Sequence, residues 1–324
     1  MITPDEVHRP APDRLARRRV IAAGGALVLT GGCSTPPPAP VAVPPMPSIT
    51  VGRLERTVDM PSKRVPTRPV DVWLPPGYRP DGSHAVLYLH DGQMLWDPRR
   101  SWNGQAWNAH VTAARLIAAG RVRPFILVGV WNRGDARHAE YFPAGILSRV
   151  NDRPTLDALA TQGVPKRASS AAYLRFLAEE LVPMIEARYG TAQDREHRFI
   201  AGSSMGGLIS INALCEQPQV WGGAACLSTH WIGSFQPNRA VPDAALAYLR
   251  EKLPKAGRHR LYLDRGTAGL DALYEDAQLR VDALLEARDW KAPLFDTRVF
   301  PGADHTENDW AARFEVPLEH LLRA

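Results

Sequence analysis

Short apolar runs alternate with longer helix-like stretches along most of the chain. Seven runs are apolar enough to predict strands, several of them buried on both faces, at 70–74, 85–89, 125–131, 198–201, 223–227, 260–263 and 297–300. Helix-like stretches separate several of these runs. The alternation predicts an α/β fold with a mostly parallel central sheet and helices on both of its faces.

Two of the intervening stretches predict helices. Apolar residues recur near helical spacing through 171–189, where Gly190 supplies a stop signal. Pro183 lies inside this stretch and is expected to kink or split the helix. A second helix is predicted at 271–287. The stretch 144–170 has no clear period, and we interpret it as a lid or an insertion near the site.

Size and charge narrow the choice of partners. The chain has 324 residues, of which 45% are hydrophobic, enough for one large core. The net charge is +5, and residues 1–33 contribute +2 of it, because they hold five arginines and three acidic residues. Since the remainder is close to neutral, charge gives no reason to expect a nucleic-acid partner.

Residues 1–33 are interpreted as a signal segment. A twin-arginine-like start at 17–19 leads into 11 apolar residues, 20–30, too few to span a bilayer. Small residues then precede Cys33, as at a lipoprotein processing site. We therefore expect an exported protein, periplasmic or anchored to a membrane through a lipidated Cys33. An ordinary cleaved signal peptide and an uncleaved anchor are the alternatives.

A proline-rich linker is predicted after the signal segment. Residues 34–49 contain seven prolines and no charge, which favours an extended, semi-rigid spacer. One folded domain is predicted at 50–324. Within it, Cys215 and Cys226 lie in apolar surroundings, where they either pack as small core residues or form a disulfide, and packing is favoured.

The segment 202–207, Gly-Ser-Ser-Met-Gly-Gly, connects a predicted strand to an apolar, helix-like run. A strand, a Gly-x-Ser-x-Gly turn and a helix in this order form a nucleophile elbow, which would expose the Ser204 hydroxyl above the sheet. A serine also needs a base. His305 follows the last predicted strand, and Asp264 and Asp271 lie at or beyond the end of the preceding one, so the order matches Ser, Asp, His in α/β-hydrolases.

These residues resemble the putative-esterase (esterase D-like) family of the α/β-hydrolase superfamily. That family includes enterochelin esterases, S-formylglutathione hydrolases, and feruloyl and acetylxylan esterases. The likeness runs from about Asp71 to the C-terminus, and its landmarks are 74–78, 87–93, 140–143, 202–207 and 302–305. The resemblance implies an α/β-hydrolase esterase domain at 50–324, with Ser204 as nucleophile and His305 as base.

Two aspartates compete for the role of the triad acid. Asp271 is favoured, because it lies in the loop beyond its strand, where it could reach under His305. Asp264 is the alternative, although it looks like part of the strand itself. His230 either lines the pocket or is structural, and Trp310 is expected to pack in the core.

The oxyanion hole needs two backbone N–H donors. The first is expected from Met205, the residue after the nucleophile, and the second, by resemblance, from Gln93. No metal or organic cofactor is implied. His90 and Asp91 are interpreted as a turn rather than as metal ligands, because no second cluster at ligand spacing accompanies them.

The expected activity is hydrolysis of a carboxylic ester through a Ser-His-Asp triad and an acyl-enzyme. The substrate is expected to be a small-molecule or carbohydrate ester, either carbohydrate-linked or of the siderophore type. An acyltransferase that uses an alcohol acceptor and a non-catalytic surface lipoprotein are the two alternatives. The sequence assigns neither the acyl group, nor the alcohol, nor an oligomeric state.

Overall fold

A single sheet organises the protein. The computed structural model describes residues 45–323, and the strands within that range are β1 Arg53–Met60, β2 Arg68–Leu74, β3 Ala85–His90, β4 Phe125–Val130, β5 Arg198–Ser203, β6 Gly223–Leu227, β7 Arg260–Gly266 and β8 Phe295–Phe300. Their order in the sheet is β1-β2-β4-β3-β5-β6-β7-β8. The β1–β2 and β2–β4 pairs are antiparallel and the others are parallel. The predicted α/β fold is confirmed.

Helices connect the strands. In the described range the α-helices are α1 Ala109–Ala118, α2 Arg137–Tyr141, α3 Ala144–Leu147, α4 Arg153–Thr161, α5 Ser170–Arg175, α6 Val182–Tyr189, α7 Met205–Glu216, α8 Ala240–Lys252, α9 Glu275–Glu286, α10 Glu307–Arg313 and α11 Glu315–Leu322. None of them is long and apolar enough to cross a membrane.

The core has two layers, one on each face of the sheet. Successive side chains of a strand point to opposite faces. On β3, Val86 and Tyr88 therefore join one apolar cluster, while Leu87 and Leu89 join the other. The first cluster includes α7 and the second includes α1 and α11. Because both faces are covered, β3 is buried along its whole length, as its unbroken apolar run predicts.

The edge strand β1 was not predicted from the sequence. Its residues are mostly exposed or half-buried, and charged side chains such as Arg53 and Glu55 interrupt any apolar run. Charged residues are common on edge strands, where they discourage pairing with another chain. Its neighbour β2 was predicted from the run at 70–74, and six of the seven residues of β2 are buried.

The predicted helix around Pro183 is continuous but locally widened. Helical structure runs from Ser170 to Tyr189, with a π-helical segment at Phe176–Leu181 between α5 and α6. Proline lacks an N–H and crowds the carbonyl four residues earlier. The wider turns lie directly before Pro183, so the chain accommodates the proline without ending the helix.

Two other stretches differ in detail from the prediction. The stretch 271–287 begins with a 3₁₀ turn, Gly269–Tyr274, and only then continues as α9. The stretch 144–170 contains α3 and α4. Gly145 in α3 lies so close to the Tyr248 ring that an added Cβ would come within 2.5 Å of it, so this stretch is packed against α8.

The predicted signal segment, including Cys33, lies outside the described residues. Of the predicted linker, 45–49 are described, and they contact the domain: the backbone N–H of Ser48 donates to Asp97 Oδ2 at 3.3 Å, and Ile49 packs on the core. Cys215 and Cys226 are both buried and unpaired, so the favoured packing interpretation is confirmed and the disulfide is wrong.

Candidate active site

Ser204 stands at a strained turn between β5 and α7. Its φ of 58° and ψ of −123° lie in a region that residues other than glycine rarely adopt. The turn is held by a hydrogen bond from Ser204 N–H to the Leu227 carbonyl oxygen at 2.9 Å. A Cβ added to Gly202 would lie 2.9 Å from Gly206 Cα, so the turn requires glycine there. This geometry is that of the nucleophile elbow.

His305 and Asp271 are brought together from separate loops. The distance between His305 Nδ1 and Asp271 Oδ1 is 2.6 Å. The His305 ring also meets the rings of Tyr274 and Trp310 edge-on, at centroid distances of 5.6 and 4.9 Å. Because Nδ1 donates to the carboxylate, Nε2 is the nitrogen left to accept a proton.

The carboxylate of Asp271 is fully buried and receives further donors. Gly266 N–H donates to its Oδ2 at 2.6 Å, and Ser228 Oγ donates to the same oxygen at 2.5 Å. Burial alone would raise the pKa of Asp271, but the hydrogen bonds from His305, Ser228 and Gly266 outweigh burial and hold the pKa below its ordinary value. The lowered pKa favours the ionised form of Asp271, which can balance the positive charge of a protonated His305.

Asp264 does not contact His305. It lies within β7, and both of its oxygens accept from Arg313, at 3.2 Å from Nε and 3.0 Å from Nη2. The Tyr262 hydroxyl donates to Asp264 Oδ2 at 3.0 Å. Asp264 thus forms a buried ion pair behind the site, whereas Asp271 is the aspartate that the structure places at the base.

Ser228 links the two aspartates. Its hydroxyl donates to Asp271 and accepts from Trp310 Nε1 at 2.9 Å and from Arg313 Nη2 at 2.7 Å. Its backbone N–H donates to the Asp264 carbonyl oxygen at 2.9 Å. The sequence reasoning missed this role, although Ser228 directly follows β6, at the sheet edge where ligands bind. Trp310 is buried as expected, but it also supports this network.

The two backbone donors expected for an oxyanion hole both lie in the first turn of a helical element. Met205 is the first residue of α7, and Gln93 is the second of a 3₁₀ turn, Gly92–Met94. The N–H groups of a first helical turn have no acceptor within the helix. The start of α7 packs on the end of β3, because a Cβ added to Gly206 would come within 3.3 Å of His90 Cβ. Met205 and Gln93 thus keep the backbone positions that the sequence analysis assigned to the oxyanion hole.

A buried ion pair fixes the turn that carries Gln93. Asp91, at a φ of 56°, accepts from Arg137 Nε and Nη2, each at 2.7 Å, and from Asn132 Nδ2 at 2.6 Å. Asn132 N–H in turn donates to Gln93 Oε1 at 3.1 Å. His90 donates to or accepts from the Tyr173 hydroxyl at 2.9 Å. The His90-Asp91 pair is thus occupied in holding a turn.

His230 lies directly behind the nucleophile. Its backbone N–H donates to the Ser204 carbonyl oxygen at 3.2 Å, and its Nδ1 is 2.6 Å from the Tyr274 hydroxyl. Burial, with smaller contributions from His305 and Arg137, lowers the pKa of His230 to about 3. The imidazole is therefore neutral at physiological pH.

Comparison with known proteins gives the family of the chain. The sequence profile of the family described as "Putative esterase" matches residues 66–321. The chain belongs to this putative esterase family. The resemblance stated from the motifs is thereby confirmed.

Two curated relatives are similar over part of their length. YbbA of Bacillus subtilis, an uncharacterized protein, is 24% identical over 197 residues, 60% of this chain and 66% of that protein. The ferri-bacillibactin esterase BesA of Bacillus subtilis is 25% identical over 163 residues, 48% of this chain and 52% of that protein. The chain thus spans less than two thirds of the length of these two relatives.

A solved structure of a ferulic acid esterase shows the same fold. It is 18% identical, with a TM-score of 0.59, and the match covers 84% of this chain and 99% of that one. This likeness concerns the fold, and it supports the α/β-hydrolase architecture that the sheet order already indicates.

Proposed function

We propose that the protein is a serine carboxylic-ester hydrolase that works through Ser204, His305 and Asp271. The observation that carries the proposal is the 2.6 Å contact between His305 Nδ1 and Asp271 Oδ1, together with the strained elbow at Ser204. An oriented base is what a serine hydroxyl needs to become a nucleophile. Family membership supports the same reaction.

The proposed reaction assigns one role to each of these groups. His305 Nε2 takes the proton of Ser204 as Oγ attacks the ester carbonyl carbon. The carbonyl oxygen becomes an oxyanion, which the N–H groups of Met205 and Gln93 stabilise. His305 then protonates the leaving alcohol, and an acyl-enzyme remains. Water, deprotonated by the same nitrogen, releases the acid, and no metal or organic cofactor takes part.

The substrate is proposed to be a carbohydrate-linked or siderophore-type ester. The names of BesA and of the ferulic acid esterase support these two classes. The exposed aromatic residues support the same classes. The chain has nine tryptophans, eight tyrosines and eight phenylalanines, all of which lie within the residues that the structure describes, and two of them are exposed. They are Trp102 and Phe235, with exposures of 62% and 57%.

Phe235 contacts a residue beside the nucleophile, and Trp102 is next in the chain to a residue that contacts the segment after His305. The Phe235 ring lies 5.9 Å from the His230 ring. Trp102 precedes Asn103, whose Nδ2 donates at 2.6 Å to Glu307, two residues after the base. Exposed aromatic surface beside a reactive centre suits a substrate that carries a ring, whether a sugar or an aryl group.

The test is a panel of esters: para-nitrophenyl, feruloylated, acetylated and catecholate substrates. We expect turnover by the wild type and by Ser203→Ala, a matched serine one residue earlier, and loss of turnover in Ser204→Ala. Product analysis with an added alcohol separates hydrolysis from acyl transfer. Equal activity of Ser204→Ala and wild type would contradict the proposal. A predominant transesterified product would favour the acyltransferase.

We also propose export and anchoring through Cys33. The support is the twin-arginine-like start at 17–19, the 11-residue apolar stretch and the small residues before the cysteine. In a host that processes lipoproteins, the wild type should partition with membranes and carry a lipid by mass spectrometry, whereas Cys33→Ala should not. Equal partitioning of the two proteins would contradict lipidation.

A further inference from the structure

The direction of the Ser228 hydroxyl is fixed by its neighbours. The side chain is fully buried. Trp310 Nε1 lies 2.9 Å from Ser228 Oγ, and Arg313 Nη2 lies 2.7 Å from it. Indole and guanidinium nitrogens carry protons and do not accept hydrogen bonds, so both of these groups donate to Oγ. The proton of Ser228 is therefore left for the third neighbour, Asp271 Oδ2, at 2.5 Å.

The two oxygens of Asp271 have different partners. Oδ2 accepts from the Ser228 hydroxyl and from Gly266 N–H, whereas Oδ1 faces His305 Nδ1 at 2.6 Å. An ionised carboxylate can only accept, so Nδ1 carries the proton of this contact. Two donors on Oδ2 hold the carboxylate against rotation, and that rotation decides where Oδ1 points. Ser228 thus acts on His305 through Asp271.

The backbone at Ser228 does not explain why a serine stands there. Its φ is 43°, in the left-handed region that glycine adopts most readily. The backbone N–H is held by the Asp264 carbonyl oxygen at 2.9 Å. A glycine would fit this backbone with less strain, but it would carry no hydroxyl. What the serine side chain adds at this position is the donor to Asp271.

We propose that Ser228 is a positioning residue of the active site, whose hydroxyl holds Asp271 Oδ2 so that Oδ1 stays aligned with His305 Nδ1. This inference rests on the proposed esterase function. No proton leaves Ser228 during the reaction. The alignment matters because the aspartate keeps the imidazole in the tautomer and the orientation in which Nε2 can take the serine proton.

Two groups near Asp271 limit the expected effect. Arg313 Nη2 lies 3.8 Å from Asp271 Oδ2, close enough to replace part of the contact if the hydroxyl is removed. Gly266 N–H would still donate to the same oxygen. Without the hydroxyl, Asp271 should therefore remain ionised but less firmly aligned. We expect a loss of about 10-fold in rate, much less than the loss caused by Asp271→Asn.

The first test compares two variants that lack the hydroxyl, Ser228→Ala and Ser228→Gly. We expect kcat for a para-nitrophenyl ester, and the rate of Ser204 labelling by a fluorophosphonate, to fall about 10-fold in both, with KM within about 2-fold of the wild type. Glycine suits the backbone and alanine does not, so Ser228→Gly should be the more stable of the two in urea. Equal rates despite unequal stability would support the inference, whereas rates that follow stability, or wild-type rates in both variants, would overturn it.

A double-variant cycle tests whether Ser228 acts through Asp271. In Asp271→Asn no carboxylate remains to be aligned, so adding Ser228→Gly should slow labelling further by less than about 2-fold. A further loss of about 10-fold in that background would overturn the positioning role, because the hydroxyl would then act on another group.

The matched control is Ser170→Ala. Ser170 is also buried, and its hydroxyl oxygen accepts from Ala144 N–H at 2.9 Å, outside the triad. We expect this variant to be labelled at the wild-type rate. If it were slowed as much as Ser228→Ala, loss of a buried hydroxyl elsewhere would be sufficient for the effect, and the inference would be overturned.

The outcomes separate this inference from the proposed function. If Ser204→Ala is inactive while both Ser228 variants behave as the wild type, the protein is an esterase and the role of Ser228 is refuted. If the folded wild type neither turns over esters nor reacts with the fluorophosphonate, both are refuted. Near-ultraviolet circular dichroism of each variant establishes that folded proteins are compared.

Discussion

Asp264 and Asp271 are buried in one hydrogen-bond network, yet replacing each by asparagine should change a different property. Asp271 accepts from His305, whereas Asp264 accepts twice from Arg313. We expect Asp271→Asn to abolish most activity at small cost in stability. Asp264→Asn should instead reduce stability and leave most activity in the molecules that remain folded.

The magnitudes follow from the contacts. An amide at 271 cannot balance the charge that His305 gains, and comparable changes in serine hydrolase triads lower kcat by about 10³–10⁴, or about 4–5.5 kcal/mol of transition-state stabilisation. At 264 the substitution leaves the buried Arg313 without its bidentate partner, which costs about 3–5 kcal/mol. Arg313 Nη2 is 3.8 Å from Asp271 Oδ2, so partial compensation favours the lower figure.

The assay combines urea unfolding with kcat for a para-nitrophenyl ester, measured well below the unfolding transition. We expect Asp271→Asn to unfold within about 2 kcal/mol of the wild type, since its amide oxygen can still accept a neutral hydrogen bond. Asp264→Asn should keep kcat within about 10-fold of the wild type. The reverse pattern, with kcat collapsing in Asp264→Asn and preserved in Asp271→Asn, would refute the assignment of the acid.

Two further predictions concern stability. Burial lowers the pKa of His90 and of His230 to about 3, so below about pH 6.5 the unfolded chain binds protons that the native protein does not. We therefore expect each histidine to lower the free energy of unfolding by about 2 kcal/mol at pH 5 relative to pH 8. Urea unfolding at both pH values checks this, and equal stability at the two would contradict it. Gly202→Ala would place a Cβ 2.9 Å from the Gly206 backbone, and we expect a loss of about 1–3 kcal/mol in urea unfolding together with lost esterase activity; a variant as stable and active as the wild type would show that the elbow tolerates the added methyl group.

Local sequence patterns were sufficient to predict the central strands and the turn at Ser204. Strands buried on both faces, such as β3, appear in the sequence as continuous apolar runs. The run before Gly202 indicated that a strand precedes the turn, as a nucleophile elbow requires. The chain order of Ser204, Asp271 and His305 then suggested which groups could meet. These predictions depend on residues close together in the chain or on a known order of elements.

Contacts between distant polar residues could not be predicted in this way. Ser228, Tyr274 and Arg313 bind partners that are remote in the sequence, and the position of Ser228 after β6 does not tell which residues it meets. The choice between Asp264 and Asp271 also depended on side-chain direction, which follows from the 3₁₀ turn Gly269–Tyr274 and not from any periodicity. Edge strand β1 was missed because its charges conceal the strand pattern.

Mapping the site of covalent modification tests the role of Ser204 most directly. The folded wild type is treated with a fluorophosphonate, digested and analysed by mass spectrometry, alongside Ser204→Ala, His305→Ala and the neighbouring control Ser203→Ala. We expect one adduct, on Ser204, in the wild type and the control, none in Ser204→Ala, and labelling slowed by at least about 100-fold in His305→Ala. A natively folded wild type that carries no adduct, or an adduct on another serine, would contradict the proposed nucleophile.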